Sequence, residues 1–294
     1  MDRKRDVIDN LRSTISVYLS FVRFSHSVFA LPFALAGALL AAQRVEVTGG
    51  TVVWILVAMV AARSAAMGFN RLVDARFDAL NPRTAGRELP RGAMSHREAV
   101  AFVVAASVLF VFAAWRLGPL CFALSPLALA IVFWYSLAKR FTTWTQLFLG
   151  LAMAVAPVGG WLAVGGRGGW EPWLLAAAIG TWVGGFDVLY ACQDLDFDRA
   201  RNLRSIPVRY GVARALTISR GMHVLTVVFL VALAFVAPLG SIYLVGVATV
   251  AALLAYEQSL VRADDLSQVK RAFDLNGYVG ILYLLILVVS IYGE

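Results

Sequence analysis

Runs of about twenty consecutive apolar residues, separated by connectors too short to hold a soluble domain, leave this chain few ways to fold. A helix of about 20 residues crosses the ~30 Å of hydrocarbon in a bilayer, where every backbone polar group must be satisfied internally. Nine such runs can be read, near residues 21–43, 49–70, 98–116, 118–138, 144–165, 172–192, 217–237, 239–258 and 275–292. Composition agrees, since 60% of the 294 residues are hydrophobic and 15% are charged, far from the balance of a soluble domain. The sequence predicts an all-α integral membrane protein: nine transmembrane helices in a bundle, with residues 1–294 forming a single domain. The first run follows a basic segment, but its length favours an uncleaved first helix over a signal peptide.

Lysine and arginine set the expected orientation, because cytoplasmic loops retain them. One side receives Arg3, Lys4, Arg5 and Arg12, then Lys139, Arg140, Arg262, Lys270 and Arg271, and six arginines in each of the loops 71–97 and 199–220. The other side receives Arg44, Arg116 and Arg167. This places the amino terminus in the cytoplasm and the carboxyl terminus outside, in an inner (plasma) membrane. The net charge of +8 follows from that bias and needs no nucleic acid, although such a face also attracts anionic lipid or substrate. Cys121 and Cys192 fall within spans without metal-ligand spacing and read as small core residues.

With no room for a soluble domain, chemistry must reside in the helices and in the two longest hydrophilic connections, 71–97 and 193–216. Both follow an even-numbered span, open with carboxylates and continue with arginines. In "NRLVDARFD", Asn70, Asp74 and Asp78 recur at i, i+4 and i+8, which lines them on one face if the second span continues as a helix past the membrane surface. Asn81-Pro82 then ends that helix. Ser95 with Glu98 makes a capping-box pattern at the start of the third span. In "FDVLYACQDLDFDRARN", Asp194 and Asp198 are again i, i+4, with Tyr190 one turn earlier and Asp187 closer to the membrane interior, while Asp196 points elsewhere.

Two helices presenting carboxylates at one depth suit a hard divalent cation such as Mg²⁺, which takes oxygen ligands from a few carboxylates plus substrate phosphates. The candidate metal ligands are Asp74, Asp78, Asp194 and Asp198. The alternative is that acidic residues merely solvate a helix end, and two matched motifs weigh against it. Asp194-x-Asp196-x-Asp198 imitates a calcium loop, but Arg199 and Ser205 stand where that loop needs glycine and glutamate. An alcohol phosphotransferase of the membrane type would require Asp-Gly within its motif, and none occurs here.

Arg83, Arg87 and Arg91 are spaced by four, Lys139 and Arg140 follow Tyr135 at the inner end of the fourth span, and Arg204 and Arg209 follow the second motif. Arginines beside a carboxylate-bound metal would complete a diphosphate clamp; positive-inside anchoring is the bland alternative for each. Arg23 and His26 lie in the inner part of the first span, where an ionisable residue is a functional candidate. Asp187 lies inside the sixth span and is expected to face a wet cavity. His96 and His223 have no partner visible in sequence. Trp115, Trp134, Trp144, Trp170 and Trp173 fall at span ends and read as an interface belt.

"NRLVDARFD" and "YACQDLDFD", with "YSLAKRFT" between them in a nine-span chain, resemble the UbiA superfamily of intramembrane aromatic prenyltransferases over essentially the whole length. "SHSVFALPFA", "NPRTAGRELPRG" and "LRSIPVRYG" are most similar to its 4-hydroxybenzoate polyprenyltransferases and their relatives in the futalosine route to menaquinone. The resemblance implies that two acidic loops cap the bundle and hold Mg²⁺ and a polyprenyl diphosphate, that Lys139 contributes to the diphosphate site, and that a lateral opening lets the long tail lie in lipid. It further implies transfer of the polyprenyl group to the ring of a 4-hydroxybenzoate-like or hydroxynaphthoate acceptor in ubiquinone or menaquinone biosynthesis. On this reading Asn70, Arg83, Arg87, Lys139, Arg140 and Arg204 serve the diphosphate. Arg23 meets an acceptor carboxylate, with His26 beside it, and Asp187 assists deprotonation or orients the acceptor. Tyr190, with Phe29 and Tyr135, offers cation–π stabilisation to an allylic cation. The first motif departs from the family's commonest form in having Arg71 where many members have aspartate. The competing reading is a membrane carrier of an anionic phosphate-bearing ligand, but carrier sites are expected at the midplane of repeated halves.

Overall fold

The computed structural model describes residues 16–22 and 31–293, and the described residues are all-helical. A short stretch at 16–21 (α1) precedes α2 (Leu31–Ala42), α3 (Gly49–Leu80), α4 (His96–Leu117), α5 (Pro119–Ala138), α6 (Thr145–Ala163) and α7 (Glu171–Ala191). A 3-10 turn at Cys192–Asp194 leads into the short α8 (Leu195–Ala200), followed by α9 (Ile206–Val236), α10 (Ser241–Leu260) and α11 (Val269–Tyr292). Among the described residues eight helices, α3 to α7 and α9 to α11, are long and apolar enough to cross a membrane. The remaining expected span, the first at 21–43, is represented among the described residues by α2, apolar but 12 residues long. Arg23, His26 and Phe29 lie outside the described residues.

The capping box at Ser95 and Glu98 is formed in both directions. α3 ends where Asn81-Pro82 requires, with Asn81 in an extended conformation. The second connection is more helical than its polarity suggests. α9 begins at Ile206, eleven residues before the apolar run that marks it in sequence, and a positive φ at Gly211 breaks its first turns from the rest.

Side-chain size explains how the spans pack. Helices in lipid gain little from a hydrophobic drive towards each other and associate where small residues let backbones approach. A Cβ on Gly160 of α6 would overlap the Ala34 carbonyl of α2, and one on Gly37 of α2 would overlap the Pro157 carbonyl of α6. Gly150 of α6 stands in the same relation to the Gly180 carbonyl of α7. α6 is thereby pressed between α2 and α7, while α11 closes the bundle against α2, α7 and α10. Polar side chains tie the same helices. Thr181 meets Thr226 across α7 and α9 at 2.9 Å. Asn276 of α11 accepts from Trp182 of α7 at 2.6 Å and donates to Glu257 of α10 at 3.0 Å.

The outward faces remain apolar: Val108, Val245 and Phe235 are 63%, 68% and 84% exposed, as suits contact with lipid rather than water. Trp115, Trp134, Trp144, Trp170 and Trp173 are all exposed near helix ends, in keeping with a belt at the two interfaces.

Gly37→Ala and Gly160→Ala are expected to cost about 1–3 kcal/mol each by overpacking and to lower the melting temperature in detergent. Gly221→Ala meets no atom within 4 Å and sits inside α9, so it should leave the melting temperature unchanged or raise it. A thermal melt of the three purified variants checks this.

Candidate functional site

At 1.5 Å per residue the 32-residue α3 is about 48 Å long, well beyond the ~30 Å of hydrocarbon. Its carboxyl-terminal turns therefore project past the membrane, and they carry Asn70, Asp74 and Asp78 on successive turns, as the spacing predicts. Asn70 Nδ2 donates to Asp74 Oδ2 at 3.4 Å. Both aspartates are buried, at 4% and 7% exposure, so each carboxylate must find counter-charge inside the protein.

The end of α5 supplies it for Asp74. Lys139 Nζ lies 2.7 Å from Oδ2 and Arg140 Nη2 lies 2.9 Å from Oδ1. Arg140 also donates to the carbonyls of Ser136 and Val73 at 3.0 and 2.7 Å, which fixes its guanidinium. Asp78 is held by the loop that follows it: Arg87 Nη1 reaches both carboxylate oxygens, at 2.7 and 2.8 Å, and Thr84 donates to the Asp78 carbonyl at 3.1 Å.

The second motif is not one continuous helix. α7 ends at Ala191 and tightens into the 3-10 turn, so Asp194 stands at the start of α8. Arg83 binds it from the first loop, with Nη2 to Oδ2 at 2.5 Å and Nε to Oδ1 at 3.2 Å, and Asn81 Nδ2 adds a contact at 3.4 Å. Arg83 Nη1 donates to the Tyr190 hydroxyl at 2.8 Å, and the guanidinium lies 5.3 Å from the centre of the Tyr190 ring. Partial burial works against the Arg83 charge, but Asp194 and Tyr190 outweigh it and raise its pKa. On its other side the Tyr190 ring packs against Phe273 of α11, with centroids 4.7 Å apart. Asp196 is exposed, as expected. Asp187 and Asp198 are half-buried and have no ion pair among the described residues.

The two loops thus bring together Asn70, Asp74, Asp78, Tyr190 and Asp194 with Arg83, Arg87, Lys139 and Arg140. Arg204 is placed differently: it donates to the Phe141 carbonyl at 2.6 Å, and its backbone N–H to the Lys139 carbonyl, so it ties two loops rather than a carboxylate. Arg71 is buried and donates to the Phe21 carbonyl at 3.4 Å, which ties α3 to α1.

Towards the membrane interior lies an apolar cavity of about 790 Å³, lined by α2 to α7 and α9. It follows α6 from Leu147 to Ala163, about 24 Å of helix. Leu127, Leu151 and Trp173 line it while being 58%, 49% and 58% exposed, so it opens sideways on the lipid-facing surface. Among the described residues its one charged lining residue is Arg63 of α3, accompanied by Tyr135 of α5. Arg63 Nε is buried without a hydrogen-bond partner among the described residues. Arg63 lies two helical turns, about 10 Å, from Asn70, within the part of the cavity wall nearer the carboxylates, which Ala66 and Met67 continue towards Asn70. Sequence reasoning passed over it, although the rule that flags Arg23, an ionisable residue within a span, applies equally to "VAARSAAM".

Comparison with known proteins agrees with this arrangement. Residues 30–285 match the UbiA prenyltransferase family model. A 4-hydroxybenzoate octaprenyltransferase of Vibrio campbellii is 30% identical over 228 residues, covering 78% of this chain and 80% of the relative. The enzyme of the same description from Alkalilimnicola ehrlichii is 32% identical, covering 78% of each chain. Among solved structures, a UbiA homolog from Aeropyrum pernix K1 is 37% identical, with a TM-score of 0.83 over 90% of this chain and 98% of that one. A UbiA homolog from Archaeoglobus fulgidus, bound to GPP and Mg²⁺, shares the fold at 22% identity, with a TM-score of 0.75 over 94% of this chain and 99% of that one. A membrane-spanning helical bundle whose two acidic loops face each other across their own arginines, matched by the family model along most of its length, belongs to the UbiA prenyltransferase family.

Proposed function

We propose that this chain transfers a polyprenyl group from a polyprenyl diphosphate to the ring of an aromatic acid of the 4-hydroxybenzoate class, with Mg²⁺, as a single catalytic domain whose acidic loops face the cytoplasm. The observation that carries the reading is the adjacency of two unlike halves along α3 and α5: an apolar cavity open to lipid, and within two turns of Arg63 and Tyr135 a cluster of carboxylates and cations. A polyprenyl diphosphate has the same division into tail and head.

The donor set fits Mg²⁺. It consists of carboxylate oxygens, and the described residues gather no three acidic, histidine or cysteine side chains into a ready cage. Mg²⁺ binds through one or two carboxylates plus substrate phosphates, so Asp74, Asp78, Asp194 and Asp198 would hold an ion that shares its shell with the diphosphate. Bound there, the ion supplies Lewis-acid stabilisation of the charge that develops on the leaving diphosphate. Arg83, Arg87, Lys139 and Arg140 bind phosphate oxygens and orient the head group. The allylic carbon–oxygen bond breaks, the diphosphate keeps the electron pair, and the cation forms where apolar walls exclude water and Tyr135 can face it. The acceptor ring carbon attacks, a carbon–carbon bond forms and a ring proton leaves. Asp187, half-buried and without an ion pair, is the candidate to receive it, and Tyr190 holds Arg83 towards Asp194.

Arg63 takes the acceptor carboxylate on this reading. A carboxylate entering an apolar cavity needs a cation, and Arg63 offers a buried N–H in the cavity wall with no partner among the described residues. This gives the described residues a group for the role that sequence reasoning assigned to Arg23.

Asp74→Ala and Asp194→Ala should each lower kcat/KM by about a hundredfold or more while the protein still elutes as a folded species in detergent; near-normal rates in both would remove the metal–diphosphate reading. Labelled geranyl diphosphate with 4-hydroxybenzoate or a hydroxynaphthoate, in membranes with Mg²⁺ or EDTA, identifies the acceptor: product with one acid, and with Mg²⁺ alone, is the expected result.

Arg63→Leu should raise KM for the aromatic acid by about tenfold to a hundredfold, the worth of a charged hydrogen bond, and leave KM for the diphosphate nearly unchanged. An increase confined to the diphosphate would instead place Arg63 on the head group.

A further inference from the structure

Three carboxylates of the site carry protein cations on the oxygens that a metal would use, but the pairs are not equivalent. Asp74 and Asp78 are 6% and 9% exposed in their pairs with Lys139 and Arg87. Their partners come from the end of α5 and from the loop directly following Asp78. The Arg83–Asp194 pair is the most open of them, at 35% and 20% exposure. It is also the one ion pair among the described residues that joins the loop of the first motif to the second motif. The Arg83 backbone N–H is held by Asn81 Oδ1 at 3.0 Å, so the guanidinium can leave Asp194 by side-chain rotation while its backbone stays anchored.

A divalent cation and the guanidinium compete for the same oxygens of Asp194. If the metal arrives alone, Arg83 must give up a paired charge and stand beside a second positive ion. If it arrives with a diphosphate, Arg83 exchanges one anion for another and every charge stays paired. We propose that Arg83 is a stand-in cation: it occupies Asp194 until a diphosphate offers it phosphate oxygens, so that divalent metal and diphosphate bind together rather than independently. This rests on the metal–diphosphate reading above and adds a coupling to it, reciprocal between the two ligands. Exposure selects Arg83 for the part, since an open pair exchanges at lower cost than a buried one.

The test measures Mn²⁺ binding to the full-length chain in detergent by electron paramagnetic resonance, with and without a non-reacting thiolo analogue of geranyl diphosphate. For the unaltered chain, the analogue should tighten Mn²⁺ binding about tenfold or more. Arg83→Gln should bind Mn²⁺ alone more tightly than the unaltered chain does, by a similar factor, and gain little from the analogue. Arg83→Lys keeps the competing charge and should behave as the unaltered chain. Equal or weaker Mn²⁺ binding by Arg83→Gln overturns the inference while leaving the proposed function standing, as does a lysine variant that binds as tightly as the glutamine one. Absence of Mn²⁺ binding both with and without the analogue overturns the proposed function, and the inference with it.

Discussion

A carboxylate at the edge of a hydrocarbon layer has to be neutralised, and one end of this bundle is arranged around three that are neutralised by the chain itself. Asp74 needs the end of α5 beside α3, because Lys139 and Arg140 reach it from there. Asp78 needs the following loop to fold back over it, because Arg87 does so. Asp194 needs the end of α7 to turn towards that loop, and the 3-10 turn at Cys192–Asp194 provides the bend. Leaving one such charge unpaired costs about 3–5 kcal/mol where it is buried. The buried Asp74 pairs therefore fix the end of α5 beside α3, and the more open Arg83–Asp194 pair joins the first loop to the end of α7.

Packing deeper in the membrane reaches the same residues by another path. Glycine contacts seat α6 between α2 and α7, and Asn276 fastens α7 to α10 and α11. One turn from Asn276, Phe273 lies against both Phe186 and Tyr190. The Tyr190 hydroxyl in turn accepts from Arg83. A side chain in the exposed loop is thus positioned by contacts that begin in the apolar interior.

Much of this was legible in the sequence because it rests on local rules. Apolar run length gives the spans that the described residues contain, the i, i+4, i+8 pattern gives the acidic face of α3, and Ser95 with Glu98 gives the start of α4. What the sequence leaves open has physical causes. Arg204 has the charge of a phosphate ligand, but which oxygen it meets depends on how two loops fold together, and it meets the Phe141 carbonyl. The second motif reads as a simple i, i+4 helix face because period alone carries no signal for a 3-10 tightening. α9 starts early because a polar stretch can be helical once its far side packs, as Ile206, Ala215 and Leu216 do. Arg63 escaped because a single arginine among alanines barely disturbs an apolar run, and what it faces is a property of the cavity. Arg71, a departure from the family pattern in sequence, takes its meaning from the Phe21 carbonyl.

The separation between dry and charged halves suits the metal-assisted prenyl transfer proposed above. An allylic cation survives only where water is absent, whereas a diphosphate and a divalent ion are tolerable only where counter-charge is dense. A single uniform pocket cannot be both. The bundle divides the tasks along α3, whose small and apolar residues Ala58, Met59, Ala62, Ala66 and Met67 line the cavity and whose next turns carry Asn70, Asp74 and Asp78. Arg63 and Tyr135 stand near that boundary, where a polar acceptor would have to meet the apolar end of the reaction. One long helix therefore carries, in consecutive turns, both a wall of the apolar cavity and the buried carboxylates.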